Sequence, residues 1–146
     1  MEENNLPLLP DTKPKRPNLL TILCILTFIG SGMNMFSSLV IASFYDIFVE
    51  IAHEFAERFS LPGIDQLMEA KPLFFVVTGI CYAGSVIGAI LMMRLKKAGF
   101  HVYTIFQILL VIAPMYFMHL PTPGIPDMLF SGLFIMLYSM NLKYMT

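Results

Sequence analysis

Four stretches of this chain run without Asp, Glu, Lys or Arg, and they constrain its fold more than any other feature. The first, Asn18–Tyr45, is 28 residues long and the second, Pro72–Met93, is 22. A hydrocarbon core about 30 Å thick needs about 20 residues of helix, so both are long enough to cross it. The third runs from Phe100 to about His119. The fourth, Met128–Leu142, has only 15 residues. It spans if it recruits Ile125–Asp127 and Lys143 snorkels, or if the bilayer thins locally. Only 13% of residues are charged and 57% are hydrophobic, whereas soluble domains carry about 25% charged residues. The expected fold is therefore an all-α membrane protein, a four-helix up-down-up-down bundle with spans at about 18–45, 72–94, 100–119 and 125–143.

The segments between the runs refine this picture. Residues 1–17 are polar, hold four of the ten prolines and read as a disordered cytoplasmic tail. A basic start, an apolar Leu19–Ile29 and Gly30-Ser31-Gly32 also resemble a signal peptide. The apolar character resumes at Met33, so an uncleaved helix is the better reading. After Tyr45, Phe44, Phe48, Ile51, Phe55 and Phe59 recur at helical spacing, with Asp46, Glu50, His53, Glu54, Glu57 and Arg58 between them. That pattern predicts an amphipathic helix on the outer face between spans one and two, in the segment 46–70. It either extends the first span or lies in the interface. Leu61-Pro62-Gly63 should end it. Gly99 suits the left-handed position that closes the second span, and Pro114 predicts a kink in the third.

Orientation follows from the basic residues. With the N-terminus in the cytoplasm, Lys13, Lys15, Arg16, Arg94, Lys96, Lys97 and Lys143 lie inside, seven of nine. Seven of the ten acids then lie outside. By the positive-inside rule both termini are cytoplasmic. Arg16, Arg94, Lys96 and Lys97 serve as topology signals and meet anionic lipid headgroups.

The stretch Arg16-Pro17-Asn18-Leu19-Leu20-Thr21-Ile22-Leu23-Cys24-Ile25-Leu26-Thr27-Phe28-Ile29-Gly30-Ser31-Gly32 resembles the opening of a group of small, uncharacterised four-span membrane proteins of Bacteroidota. Met92-Met93-Arg94-Leu95-Lys96-Lys97-Ala98-Gly99-Phe100, followed by Tyr103 and Gln107, is similar too. The resemblance covers the membrane core and neither the tail nor the outer helix. It implies a bacterial inner-membrane protein and brings no activity with it.

Candidate positions for chemistry are few. Cys24 and Cys81 lie in apolar runs and form neither a disulfide framework nor a metal spacing. His53 and Glu57 share a helix face at i, i+4, and His119 or Asp127, on the same side of the membrane, could join them as a third metal ligand. The zinc-protease pattern, however, needs a second His at position 57. Solvated residues on a polar face are the plainer reading, so no metal and no cofactor is assigned. The runs lack intramembrane charge, which ion-coupled transporters ordinarily place in the bundle. What remains is polar and neutral: above all Asn34, Tyr82 and Gln107, of which Asn34 and Tyr82 lie at similar depth and could hydrogen-bond across helices.

Gly84 and Gly88 form a GxxxG, and Gly30, Asn34 and Ser38 form a second small stripe. Small residues four apart let helix backbones approach closely, so spans one and two are expected to pack through these two surfaces, with span one as the central helix. The leading functional expectation is a non-enzymatic structural or accessory membrane component. Its partners are the lipid bilayer and either further copies or another membrane protein, with no nucleic acid. An oligomeric small transporter or channel is the first alternative. An outer-face enzyme or metal site built on His53, Glu54, Glu57 and His119 is the second.

Overall fold

A computed structural model describes residues 16–60 and 64–146, without the side chains of 65–67. The 1–15 part of the expected tail and the Leu61-Pro62-Gly63 stop lie outside the described residues. The described chain is helical throughout: α1 (Asn18–Ser43), α2 (Tyr45–Phe59), α3 (Ile64–Glu69), α4 (Pro72–Met93), α5 (Lys97–Phe117) and α6 (Ile125–Met140), then a 3-10 turn at Leu142–Tyr144. Four helical segments are long and apolar enough to cross a membrane: α1, α4, α5, and α6 with its following turn. The chain is a multi-pass membrane protein with an up-down-up-down bundle.

Local chemistry sets the boundaries. Phe44, at φ −120° and ψ 39°, breaks α1 from α2, so the outer helix starts just past the first span. It carries the amphipathic pattern: Phe44, Ile47, Ile51, Phe55 and Phe59 form an exposed apolar stripe. Phe48 lies on the same apolar arc, and its ring meets that of Phe75 edge-on. Tyr45 Oη donates to the Ala70 carbonyl at 2.8 Å, which ties the base of α2 to the start of α4. Ser60 closes α2 in the left-handed conformation.

The turn after α4 departs from expectation. Leu95, not Gly99, takes the positive φ of 58°. Lys96 N–H donates to Leu91 and Leu95 N–H to Met92, the paired bonds that close a helix around a left-handed residue. The third span consequently starts at Lys97. Gly99 falls inside its first turn, where a Cβ would stand 2.6 Å from the Gly88 oxygen and the Met92 nitrogen. Gly99 is needed for close approach rather than for backbone freedom. As expected of the third span, α5 runs on through Pro114, to Phe117.

Two packed clusters hold the bundle. At the end where α1 begins and Thr146 lies, Leu20, Leu23, Cys24, Met92, Tyr103, Tyr138 and Met145 are buried together. At the far end, Ala70, Phe74, Phe75 and Ala113 pack with Ile41, Tyr45, Phe48 and Phe117. The central helix is α4 and not α1. It is in extensive contact with both α1 and α5. The small faces do not pair as the sequence pattern suggests, either. A Cβ on Gly88 would lie 2.8 Å from the Tyr103 nitrogen and one on Gly84 would strike the Phe106 ring, so the GxxxG faces α5. Helix α1 reaches α4 beside Gly79, where Leu39 and Ser38 lie, and through Cys24, whose Sγ is 3.6 Å from the Ala89 carbonyl. Nothing lies within 4 Å of a Cβ on Gly30. The reason is geometric: one α4 cannot offer the same glycine face to two neighbours, and α5, joined by a tight turn, takes it.

Candidate functional site

Between the two packed ends the bundle is not filled. A cleft of about 430 Å³ lies among all four spans, within the range of small-molecule sites. Each helix contributes one stripe at three- or four-residue spacing. Helix α1 supplies Leu26, Thr27, Gly30, Ser31 and Asn34; α4 supplies Phe74, Thr78 and Tyr82. Helix α5 supplies Tyr103, Gln107, Leu110, Val111 and Pro114, and α6 supplies Asp127, Phe130, Ser131 and Phe134. Residues three and four apart share a helix face, so these stripes follow from the helices once their rotations are set.

The lining mixes apolar side chains with many polar residues for a site at membrane depth. Thr27, Ser31, Asn34, Thr78, Tyr82, Tyr103, Gln107, Asp127 and Ser131 all line it. Such groups are costly in hydrocarbon unless satisfied. Some are satisfied internally. Asn34 Nδ2 donates to the Gly30 carbonyl at 2.8 Å, one turn back on its own helix, so the Asn34–Tyr82 bond expected from depth is not made. Thr78 Oγ1 donates to the Phe74 carbonyl at 3.0 Å. Gln107 Nε2 donates to Tyr103 Oη at 2.7 Å. Others stay free: the Asn34 Oδ1, the Tyr82 hydroxyl and the Asp127 carboxylate have no partner among the described residues. Pro114 has no N–H, so the Leu110 carbonyl loses its helical donor, and both residues line the same wall.

The end of the cleft toward the start of α1 is closed by a tyrosine floor. Tyr103 and Tyr138 are 1% and 0% exposed, and their rings meet edge-on at 4.9 Å. The hydroxyls of Thr27 and Tyr138 share a 2.8 Å hydrogen bond across α1 and α6. The α1–α6 side is open: Leu26, Gly30, Asn34, Asp127 and Phe130 are all exposed there, because α6 touches α1 at few points.

Asn34, Tyr82 and Gln107 thus come together in one cleft. Gly30 also lines it and does not pack against a helix, while Ser38, Gly84 and Gly88 serve helix contacts. Arg16, Arg94, Lys96 and Lys97 are exposed at the end where α1 begins. His53, Glu57 and His119 are exposed, and among the described residues no three of His, Cys, Asp and Glu come together as a metal would require. Sequence reasoning placed Asp127 only outside the membrane, as a possible metal ligand, and passed over Ser31, Thr27 and the pairing of Tyr103 with Tyr138. The signal was the i, i+4, i+7 run of Thr27, Ser31 and Asn34, which pointed to a polar face on α1. The buried hydroxyls of Ser85 and Thr104 also lack partners, but neither belongs to the cleft.

No family model matches this chain, and neither a curated protein nor a solved structure does.

Proposed function

We propose that this chain is a non-enzymatic component of a bacterial inner membrane, with both termini cytoplasmic, that holds a small or amphiphilic ligand in the cleft between its four spans. The observation that carries the binding role is the polar lining of the 430 Å³ cleft between two well-packed ends. A helix pair that merely packed poorly would leave an apolar gap. Here the unpaired polar side chains Asn34, Tyr82 and Asp127 border it from α1, α4 and α6, and satisfying them is what a ligand or bound water would do.

Other observations support the rest. The basic residues Arg16, Arg94, Lys96, Lys97 and Lys143 are exposed and gather at one end, as a cytoplasmic face requires. The resemblance of the opening stretch to small four-span proteins of Bacteroidota supports the inner membrane. The tyrosine floor favours a blind site over conduction through one chain.

The test is cross-linking in living cells. A photo-activatable phenylalanine analogue replaces Phe130, an exposed residue of the cleft wall. Irradiation is expected to attach a small molecule or lipid, seen by mass spectrometry of the intact chain. Adducts to proteins alone, with no small adduct, would overturn the binding role and leave a scaffold.

A further inference from the structure

We infer that the cleft selects hydrophobic cations: an amine or quaternary ammonium group carried on an apolar body. The inference rests on the binding role proposed above and names the class of ligand. Three features of the lining converge on it.

The first is charge. Asp127 is the only ionisable acid in the lining, and no Lys, Arg or His joins it there. The one ion pair among the described residues is Arg58–Glu54, on α2. The Asp127 carboxylate, exposed in the first turn of α6, therefore borders the cleft with no basic side chain beside it. A cation in the cleft is attracted to that charge.

The second is that acceptors stand free beside that charge. Asn34 spends one of its two amide N–H groups on Gly30, and its Oδ1 is left for a ligand. The Leu110 carbonyl, freed by Pro114, is a further acceptor. A ligand with N–H donors can use both.

The third is aromatic. Phe74, Phe130 and Phe134 line the cleft with Tyr103. Ring faces attract cations, and quaternary ammonium groups are commonly recognised by aromatic surroundings. The open α1–α6 side, bounded by exposed apolar residues such as Leu26 and Phe130, leaves room for the apolar body toward lipid.

Tetraphenylphosphonium and tetraphenylborate test this, being nearly the same shape with opposite charge. The full chain is reconstituted in phosphatidylcholine nanodiscs, and each probe is measured by equilibrium dialysis against empty nanodiscs. Saturable binding of tetraphenylphosphonium, one per chain, is expected, with none of tetraphenylborate. Asp127→Asn should weaken the cation about tenfold, the size of one screened charge pair. Gly30→Phe should abolish binding by filling the cleft. Gly30 has nothing within 4 Å of its Cβ, so that chain should still fold, which circular dichroism and gel filtration check. Saturable tetraphenylborate binding that Gly30→Phe removes would overturn cation selectivity and leave the binding role standing. Tetraphenylphosphonium binding indifferent to both substitutions, or no binding of either probe, would overturn the inference, while the cross-linking test decides the binding role separately.

Discussion

Helices α4 and α6 are both apolar enough to span, yet they do opposite work. Half of the spanning window of α4 is buried, against 11% for α6. Composition explains little of this, since both are dominated by large aliphatic and aromatic side chains. The difference lies in where small residues sit. On α4, Gly79, Gly84 and Gly88 each bring a neighbour into contact. On α6, Gly132 meets nothing, and Met128, Leu129, Phe130, Leu133 and Met136 are exposed. Without water to drive apolar faces together, close packing and interhelical hydrogen bonds hold membrane helices. Helix α4 has the packing. Helix α6 is held mainly at its last turns by Tyr138, and the space it leaves is the cleft.

The largest break in this comparison should come from Gly88→Leu. Its side chain must enter space held by the Tyr103 backbone, which cannot swing aside as a side chain can. A loss of about 3 kcal/mol or more is expected, read as the unfolding free energy in bilayers, and it should be accompanied by separation of α5 from α4. Gly99→Val should cost about 1–3 kcal/mol for the same reason, since the Gly88 oxygen and Met92 nitrogen stand against its Cβ position. Next in size is the anchor of α6. Tyr138→Phe and Thr27→Val remove one hydroxyl each from the 2.8 Å pair. A double-mutant cycle should give a coupling of about 0.6 kcal/mol, the membrane average for such bonds. A coupling of zero would mean that ring packing alone seats α6. The smallest effects belong to Gly30→Ala and Gly132→Ala, whose added methyls meet open space; both should stay within about 0.5 kcal/mol of the parent. If Gly30→Ala proved as damaging as Gly88→Ala, the assignment of the α1 stripe to the cleft would fail.

The candidate site was partly legible before any tertiary structure. Asn34, Tyr82 and Gln107 stand out as polar residues in apolar runs, and they do line one cleft. Which helix faced which was not legible. Gly30, Asn34 and Ser38 form a single stripe in the sequence, but the structure divides it. Ser38 approaches α4 at Gly79, while Gly30 and Asn34 open onto the cleft. Likewise Gly99 looks like a helix stop, and only its contact with α4 reveals a packing position. The place of Asp127 in the cleft was hidden because an acid at the start of a short span reads as a boundary marker.

The amino-acid sequence by itself determined the solvent, the spans and the ends. Uncharged runs of sufficient length leave helices as the one structure that satisfies every backbone group in lipid, and charge placement marks the boundaries. Tertiary structure alone decided that α4 is central, that its glycines serve α5, and that α6 stands off. Helix periodicity defines which residues share a face but not how far each helix is rotated toward its neighbours. In lipid every apolar face is equally well solvated, so rotation is settled by close fit: the approaches at Gly84, Gly88 and Gly99 that leave no room for a methyl group, the tight contact at Gly79, and the Thr27–Tyr138 bond across the floor of the cleft.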